Sequence, residues 1–408
     1  MVIPAGNASS IVSSREEAEG YVASICFKHG PPSRLGVELE WTVHQRADPS
    51  RPVATAELAA ALGAHAPSTL TPDSTHLPLS HGSHVTVEPG GQVEISSPPH
   101  TSVSRLLSTV DDDIVALDDL LSAADLVRGH TGIDPHREPR RLLQVPRYAA
   151  MQSVFDGLGP DGAVMMCSTA SAQVCLDAGE ADDVATRWLA SHSVGPAMVA
   201  LFANSDRFSG CETGWASSRL RSTFGTCPPF TEPPLHDGDP AANWASLAMA
   251  APVLCVRRGG ECWDSPPGLT FGDWADGRHT TPPTYDDLDY HLSTLFPPVR
   301  AKGYLEVRYL DAQPSETWHH PVLLLSALMS DPATVDRAIE VTEQSADRWL
   351  DAARHGLDDE AVLEAASAIV ELGCSAMSSL DVGPAEVDRV TEHLERRIAD
   401  HSMRRHSA

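Results

Sequence analysis

Five glutamates at alternate positions in three short runs constrain this chain more than any other feature. The first run is Gly36-Val37-Glu38-Leu39-Glu40-Trp41. The second is Val85-Thr86-Val87-Glu88, a Pro89-Gly90-Gly91 turn, then Gln92-Val93-Glu94-Ile95-Ser96. The third is Tyr304-Leu305-Glu306-Val307-Arg308-Tyr309. Side chains two apart on a strand point the same way. Each run therefore reads as a strand with carboxylates on one face and Val, Leu, Ile or Trp on the other. Amphipathic strands commonly turn charge to water, and one such run alone reads as an ordinary solvated face. Three runs, nearly free of lysine and each beside Gly or Arg, gather acids on one surface with few cations beside them if the strands share a sheet. Such a cluster repels itself unless something positive fills it. Hard divalent cations take oxygen ligands, and Mg²⁺ with phosphates is the common case.

The chain has 408 residues, enough for one large domain or two ordinary ones. The glutamate runs come from both ends of it, so the expectation is one unit over 1–408 with a helical C-terminal portion at about 321–400. The net charge of −27 argues against nucleic acid, whose phosphates need a basic surface, and against anionic membranes. There is no run of ~18 consecutive apolar residues, so no membrane-spanning helix is expected. The polar start lacks the apolar core of a secretory leader. Eight cysteines are scattered without a Cys-x-x-Cys pair, which argues against structural zinc and a disulfide scaffold. Reduced thiols and a cytoplasmic location are expected.

Ser14-Arg15-Glu16-Glu17 reads as a capping box, with Ala18, Tyr21, Val22 and Ile25 at helical spacing behind it. Residues 54–63 read as a short helix. Residues 104–127 read as one long amphipathic helix, with Leu107 to Leu126 as its apolar stripe and Asp111, Asp112, Asp118 and Asp119 solvated. Helices are expected over 147–158, 181–203 and 285–295. Between 163 and 177 the pattern ends in alternation, with Ser171, Gln173 and Cys175 on one side and Ala172, Val174 and Leu176 on the other. Residues 204–284, rich in Gly, Pro, Trp and Thr, read as a loop or covering lid. A G-x-x-x-x-G-K-[ST] loop, a G-x-G-x-x-G turn, H-E-x-x-H and G-x-S-x-G are all missing. A nucleotide would therefore be held through metals and arginines.

Taken in order, these residues resemble the plant-type glutamate–cysteine ligases, within the glutamine-synthetase-like carboxylate–amine ligases. The likeness lies in Gly36 to Glu40, Glu88 to Ser96, Pro146-Arg147-Tyr148 with Met151, Met165 to Asp177, Leu201 to Ser205, Gly214 to Arg219, His291 to Arg300 and Lys302 to Arg308. It covers Gly36 to about Trp318. The acidic, Ala-rich character is similar to actinobacterial members, which implies a place in ergothioneine synthesis.

The resemblance implies an α/β (α+β) fold with a curved, mostly antiparallel sheet forming an active-site funnel, backed by helices. It implies joining the γ-carboxylate of L-glutamate to L-cysteine, with ATP as cosubstrate and a γ-glutamyl phosphate between. Mg²⁺ would be held by Glu38, Glu40, Glu88, Glu94 and Glu306, with Gln173 as a further ligand. Arg308 would neutralise the transferred phosphoryl group, or simply pair with Glu306. Arg219 suits a substrate carboxylate or a phosphate through its planar fork, or is an ordinary surface arginine. Arg147, Tyr148, Thr169 and Ser171 would border the amino-acid pockets. Arg300 and Lys302 would contact phosphates, or solvate a turn. His291 reads as a satisfied core histidine, and the cysteines as buried small apolar groups. Two positions depart from the family. Ser168 stands where the plant enzymes carry Arg, and Phe230, after Cys227-Pro228-Pro229, stands where relatives often carry Arg. A glutamate ligase with another amine acceptor, or a catalytically silent binder of glutamate or nucleotide, are the alternatives.

Overall fold

The computed structural model describes residues 10–407 apart from 229, 234–237, 258–259 and 261. The first nine residues, read above as lacking an apolar leader, and Pro229 lie outside the described residues.

The chain opens with α1 (Arg15–Cys26), whose first turn is capped by Ser14 Oγ accepting from Glu17 N. The Glu17 carboxylate accepts from Ser13 N rather than closing a reciprocal box on Ser14. There follow β1 (Leu35–Trp41), β2 (Val43–Gln45), α2 (Thr55–Leu62), β3 (His84–Val87), β4 (Val93–Ser96), α3 (Val103–Ser122) and β5 (Leu126–Arg128). Then come α4 (Pro146–Asp156), α5 (Asp161–Ser168), β6 (Ser171–Leu176), α6 (Val184–Ser193) and α7 (Gly195–Phe202). The stretch that reads as a loop contains β7 (Arg207–Phe208), β8 (Cys211–Glu212), α8 (Ser218–Thr226), α9 (Pro240–Ala250) and α10 (Phe271–Ala275). After α11 (Tyr285–Leu292), β9 (Val299–Ala301) and β10 (Leu305–Asp311), the chain is helical: α12 (His319–Leu328), α13 (Pro332–Thr342), α14 (Trp349–His355), α15 (Glu360–Ala376) and α16 (Pro384–Ser407).

Six strands form one sheet in the order β3-β4-β1-β6-β10-β9, and every neighbouring pair is antiparallel. All three glutamate runs contribute to it. One face carries Val37, Leu39, Trp41, Val93, Ile95, Val174 and Val307, all buried. Helices cover that face, with α3 against β1 and α7 against β10. The other face carries the glutamates.

Three expectations need correction. The helix read to Val127 ends at Ser122, because Asp125 adopts a left-handed φ of 57° and the chain then pairs with β2. Arg128 thereby stacks on Trp41 and forks onto Asp118, so Asp118 is an ion-pair partner rather than merely solvated. Asp111 accepts from Trp318 Nε1. The helix read over 181–203 is two helices, divided at Gly195, where a Cβ would come within 2.0 Å of Trp349. The lid read over 204–284 holds three helices with N-caps at Ser217, Asp239 and Thr270. By length and composition Glu360–Ser379 would pass for a membrane span. In the fold, Val362, Ala366, Ile369 and Val370 of that stretch are buried, and α15 packs against α7, α12 and α13.

Candidate active site

Strand register decides which acids meet. Glu40 lies directly opposite Glu94, and Glu38 lies between Ser96 and Gln173. Glu306 lies opposite Cys175 on one side and Arg300 on the other. Oxygens of Glu38 and Glu306 and the Cys175 sulfur all lie within 4.8 Å of one another. Glu88 stands just past β3, where the backbone bonds Glu88 N to Gln92 O and Gly91 N to Glu88 O close the hairpin at 2.8 Å each. Gly90 is required there: a Cβ would come within 2.1 Å of Cys167 O.

A cavity of about 380 Å³ opens over this face. Its floor is Glu38, Glu40, Glu94 and Gln173 from the sheet, with Glu88 at the hairpin. Its walls include Arg147, Tyr148 and Met151 on α4, Met165 and Met166 on α5, and Arg219 and Phe224 on α8. Thr169, Ser171, Arg300, Lys302 and Arg308 also line it. Of the residues put forward as metal, nucleotide or substrate contacts, Glu306 alone lies beneath the lining; it is fully buried. Ser168 is buried at the end of α5, its carbonyl accepting from Asp134 N. Phe230 lines a small separate pocket with Phe155 and Phe296.

The acids fall into two electrostatic classes. Burial, then Glu94 and Glu306, push the Glu38 carboxyl up to about 7. Burial, then Glu94 and Glu40, push Glu88 up to about 8. Burial, then Glu40, push Glu94 up to about 7. Glu94 is held by the Thr86 hydroxyl at 2.6 Å, and Glu40 by Ser171 N at 2.8 Å and Gln173 Nε2 at 2.9 Å. Glu306 behaves oppositely. Burial pushes it up, but Arg300, Arg308 and Lys302 outweigh that and hold it well below the usual carboxylate range. Arg300 Nε, Arg308 Nη1 and Lys302 Nζ stand 2.6, 3.0 and 3.2 Å from its oxygens. The expectation of few cations beside the acids is thus corrected: three gather at Glu306. Burial works against the Arg308 charge, yet Glu306, Glu40 and Glu38 hold its pKa above the ordinary value. Arg308 also donates to Gln173 Oε1.

Arg147 donates to Ser293 Oγ and O at 3.1 Å each and lies over the Tyr290 ring. Burial and the Glu88 charge raise the Tyr148 hydroxyl above its usual value. Thr169 Oγ1 donates to Met165 O. Arg219 is no surface arginine; it is 5% exposed. Its Nε donates to Asp311 at 2.9 Å and its Nη2 to Arg308 O at 3.0 Å. His291 is buried, with Nε2 2.8 Å from Ala248 O.

Asp311 was missed from the sequence. Strict alternation from Glu306 and Arg308 would turn Asp311 toward the core. A bulge in β10 between Val307 and Leu310 inserts one residue, so Leu310 pairs with Ala172 and Asp311 with Ser171. Asp311 thus joins the glutamate face, where Ser205 Oγ, Ser217 Oγ and Asn204 N also donate to it.

Four carboxyl groups and the Gln173 amide converge on one cavity flanked by arginines. This donor set suits a hard divalent cation carrying a polyphosphate. The model of glutamate-cysteine ligase family 2 matches residues 34–402 of the chain.

The chain belongs to glutamate–cysteine ligase family 2.

Relatives within reach of this family include glutamate–cysteine ligase EgtA of Mycolicibacterium smegmatis, 37% identical over 94% of this chain and 88% of its own. EgtA of Mycobacterium tuberculosis is 36% identical over 95% and 89%. The chloroplastic glutamate–cysteine ligase of Medicago truncatula is 27% identical over 63% and 52%. A glutamate–cysteine ligase from Francisella tularensis, solved with AMP, superposes with a TM-score of 0.53 at 12% identity, covering 92% of this chain and 84% of its own. A bifunctional glutathione synthetase from Pasteurella multocida gives 0.53 at 10%, covering 96% and 50%. At such identities the two structures speak for the fold alone.

Proposed function

We propose that this member of glutamate–cysteine ligase family 2 joins L-glutamate to L-cysteine at the expense of ATP, in the cytoplasm and in service of ergothioneine synthesis. The observation that carries the reading is the pairing of four cavity-facing carboxylates with an Arg300–Glu306–Arg308 cluster in one cavity.

Glu38, Glu40, Glu88 and Glu94 offer the oxygens that would hold Mg²⁺, with Gln173 Oε1 beside them. Three of the four are pushed up by burial and then by mutual repulsion, and a bound cation would offset both by favouring the charged form. Bound Mg²⁺ would neutralise phosphate oxygens and fix the terminal phosphate. Glu306 is fully buried beneath the lining among three cations, so its first role is to aim Arg300, Lys302 and Arg308. These three face the phosphates of ATP.

The γ-carboxylate oxygen of glutamate attacks the terminal phosphorus of ATP, and the bond to ADP breaks. The product is γ-glutamyl phosphate. Arg308, held above the sheet by Glu306 and Gln173, meets the negative charge spread over the moving phosphoryl oxygens. The amine of cysteine then attacks the acyl carbon, and phosphate leaves with the amide formed. Arg219, fixed by Asp311, and Arg147 with Tyr148 border the glutamate carboxylates. Met151, Met165 and Met166 give that wall a soft, apolar surface suited to the thiol of cysteine.

ADP release measured with L-glutamate, with and without L-cysteine, tests this. Sustained release is expected only with both amino acids. Equal release with unrelated amines would favour another acceptor, and no release would leave a silent binder.

A further inference from the structure

The cations that line the catalytic cavity are Arg147, Arg219, Arg300, Lys302 and Arg308. All but Arg147 already have an acid partner. Arg219 holds Asp311, and the last three share Glu306. Arg147 is the exception: among the described residues it forms no ion pair, and Glu88 feels its charge only from farther off. It is half-buried. It donates to Ser293 Oγ and Ser293 O, which leaves N–H groups of the guanidinium over for a ligand. Its charge is the one in the cavity wall left for a substrate.

The end of α11 holds that guanidinium. Arg147 lies 4.9 Å over the Tyr290 ring, within the ~6 Å reach of a cation–π contact. Ser293 Oγ, which accepts from Arg147, itself donates to Tyr290 O at 2.6 Å. Ser293 O stands at the helix C-terminus, whose partial negative charge favours a cation. The ring is fixed in turn. Arg257 lies 4.4 Å over it, and is anchored to Asp286 O at 2.6 Å and to the Asp287 carboxylate at 4.0 Å. Trp263 meets it edge-on, with ring centres 5.9 Å apart and planes at 81°. Burial works against the Arg147 charge, yet Tyr290 foremost outweighs it and raises the pKa above the ordinary value. Tyr290 is not among the residues that line the cavity, so it acts there through Arg147.

We propose that Tyr290 is a positioning residue: its ring aims Arg147 at the α-carboxylate of L-glutamate. An arginine side chain has much rotamer freedom, and ordering it at the moment of binding weakens affinity. A guanidinium already stacked and hydrogen-bonded loses less. The α-carboxylate keeps its charge throughout the reaction, while the γ-carboxylate becomes an acyl phosphate, so a fixed cation suits the former. The identity of the substrate rests on the ligase reading.

The test compares Tyr290→Phe, Tyr290→Leu and Tyr290→Met in the full chain. Each is followed by melting temperature, by steady-state kinetics, and by calorimetric binding of L-glutamate with Mg²⁺ and a non-hydrolysable ATP analogue. The Leu and Met variants should melt close to wild type and raise the KM and Kd for glutamate about tenfold. Their kcat should fall less than about threefold, with the KM for ATP unchanged. The Phe variant keeps the ring and should stay within about threefold of wild type. In an Arg147→Met background, Tyr290→Leu should change the glutamate KM by less than about twofold, because the group it aims is gone. The proposal is overturned if the Leu and Met variants keep wild-type KM and Kd for glutamate, or if the Phe variant loses as much as they do. It is overturned too if the KM for ATP rises in step, or if Tyr290→Leu has the same effect without Arg147 as with it. A wild-type chain that binds glutamate but makes no γ-glutamylcysteine would end the ligase reading, and the binding measurements would still judge Tyr290. A wild-type chain that binds no glutamate overturns the proposal as well.

Discussion

Arg219 and Asp311 form a buried ion pair at 2.9 Å, with side chains 7% and 1% exposed. It ties α8 to β10, and a bond from Arg219 Nη2 to Arg308 O ties the α8 wall of the cavity to the strand residue that pairs with Glu306. Losing one partner strands the other charge. Asp311→Asn should therefore lower stability by about 3 kcal/mol and, by misplacing Arg219, lower kcat/KM about 10²-fold. Pairing it with Arg219→Met should return much of the stability but none of the activity. Denaturant melts and steady-state kinetics on the two single variants and the double variant check this. Additive losses of stability would remove the pair from the account.

The Arg308 charge is expected to act mainly on the moving phosphoryl group. Arg308→Met should lower kcat by about 10²–10³-fold while leaving the melting temperature nearly unchanged, since Arg300 and Lys302 still partner Glu306. A large loss of stability with modest loss of kcat would instead make Arg308 a structural partner of Glu306.

Without metal, the protein should lose stability as pH rises through the neutral range. Glu38, Glu88 and Glu94 take their folded values up to about 7, 8 and 7 from an ordinary 4.5. A carboxyl raised in the folded state contributes fully below its unfolded value, and that contribution is lost as pH climbs through the folded value. Buried His44 and His291, lowered to about 4 from 6.5, act the other way, but only below 6.5. Glu306, held low, loses its contribution only in strong acid. Between pH 6.5 and about 8 the melting temperature should fall in chelator, fall less in Glu88→Gln, and stay nearly level with excess Mg²⁺. A flat profile in chelator would remove the repelling cluster.

The hairpin that presents Glu88 and Glu94 depends on close approach to α5. Gly90→Ala would drive a Cβ to within 2.1 Å of Cys167 O, so a loss of about 1–3 kcal/mol is expected, with weaker Mg²⁺ activation. Unchanged melting and metal dependence would show that the hairpin can shift freely.

The acidic face was legible from the sequence because period-two alternation survives in β1, β4 and β6, and because all three runs fall in one sheet. Asp311 was not legible, since one bulge reverses the alternation midway along β10. Arg300 is across from Glu306 only because β9 pairs with β10 in that register, through a turn at Gly303 with φ 76°. The end of α3 was hidden for a related reason: Leu121 and Leu126 continue a plausible stripe, and only the left-handed Asp125 breaks it. The helices under the apparent lid had cap residues in view, but helices of 5 to 11 residues are marginal on their own and are fixed by packing.

The central claim is that this face transfers phosphate onto the side-chain carboxylate of glutamate before the amide forms. Glutamate carrying heavy oxygen in its γ-carboxylate, incubated with ATP, Mg²⁺ and L-cysteine, tests it most directly by mass spectrometry of the products. The account expects one heavy oxygen in the released phosphate for each γ-glutamylcysteine made, with ADP alongside. Phosphate free of the label, or label appearing in AMP, would contradict it.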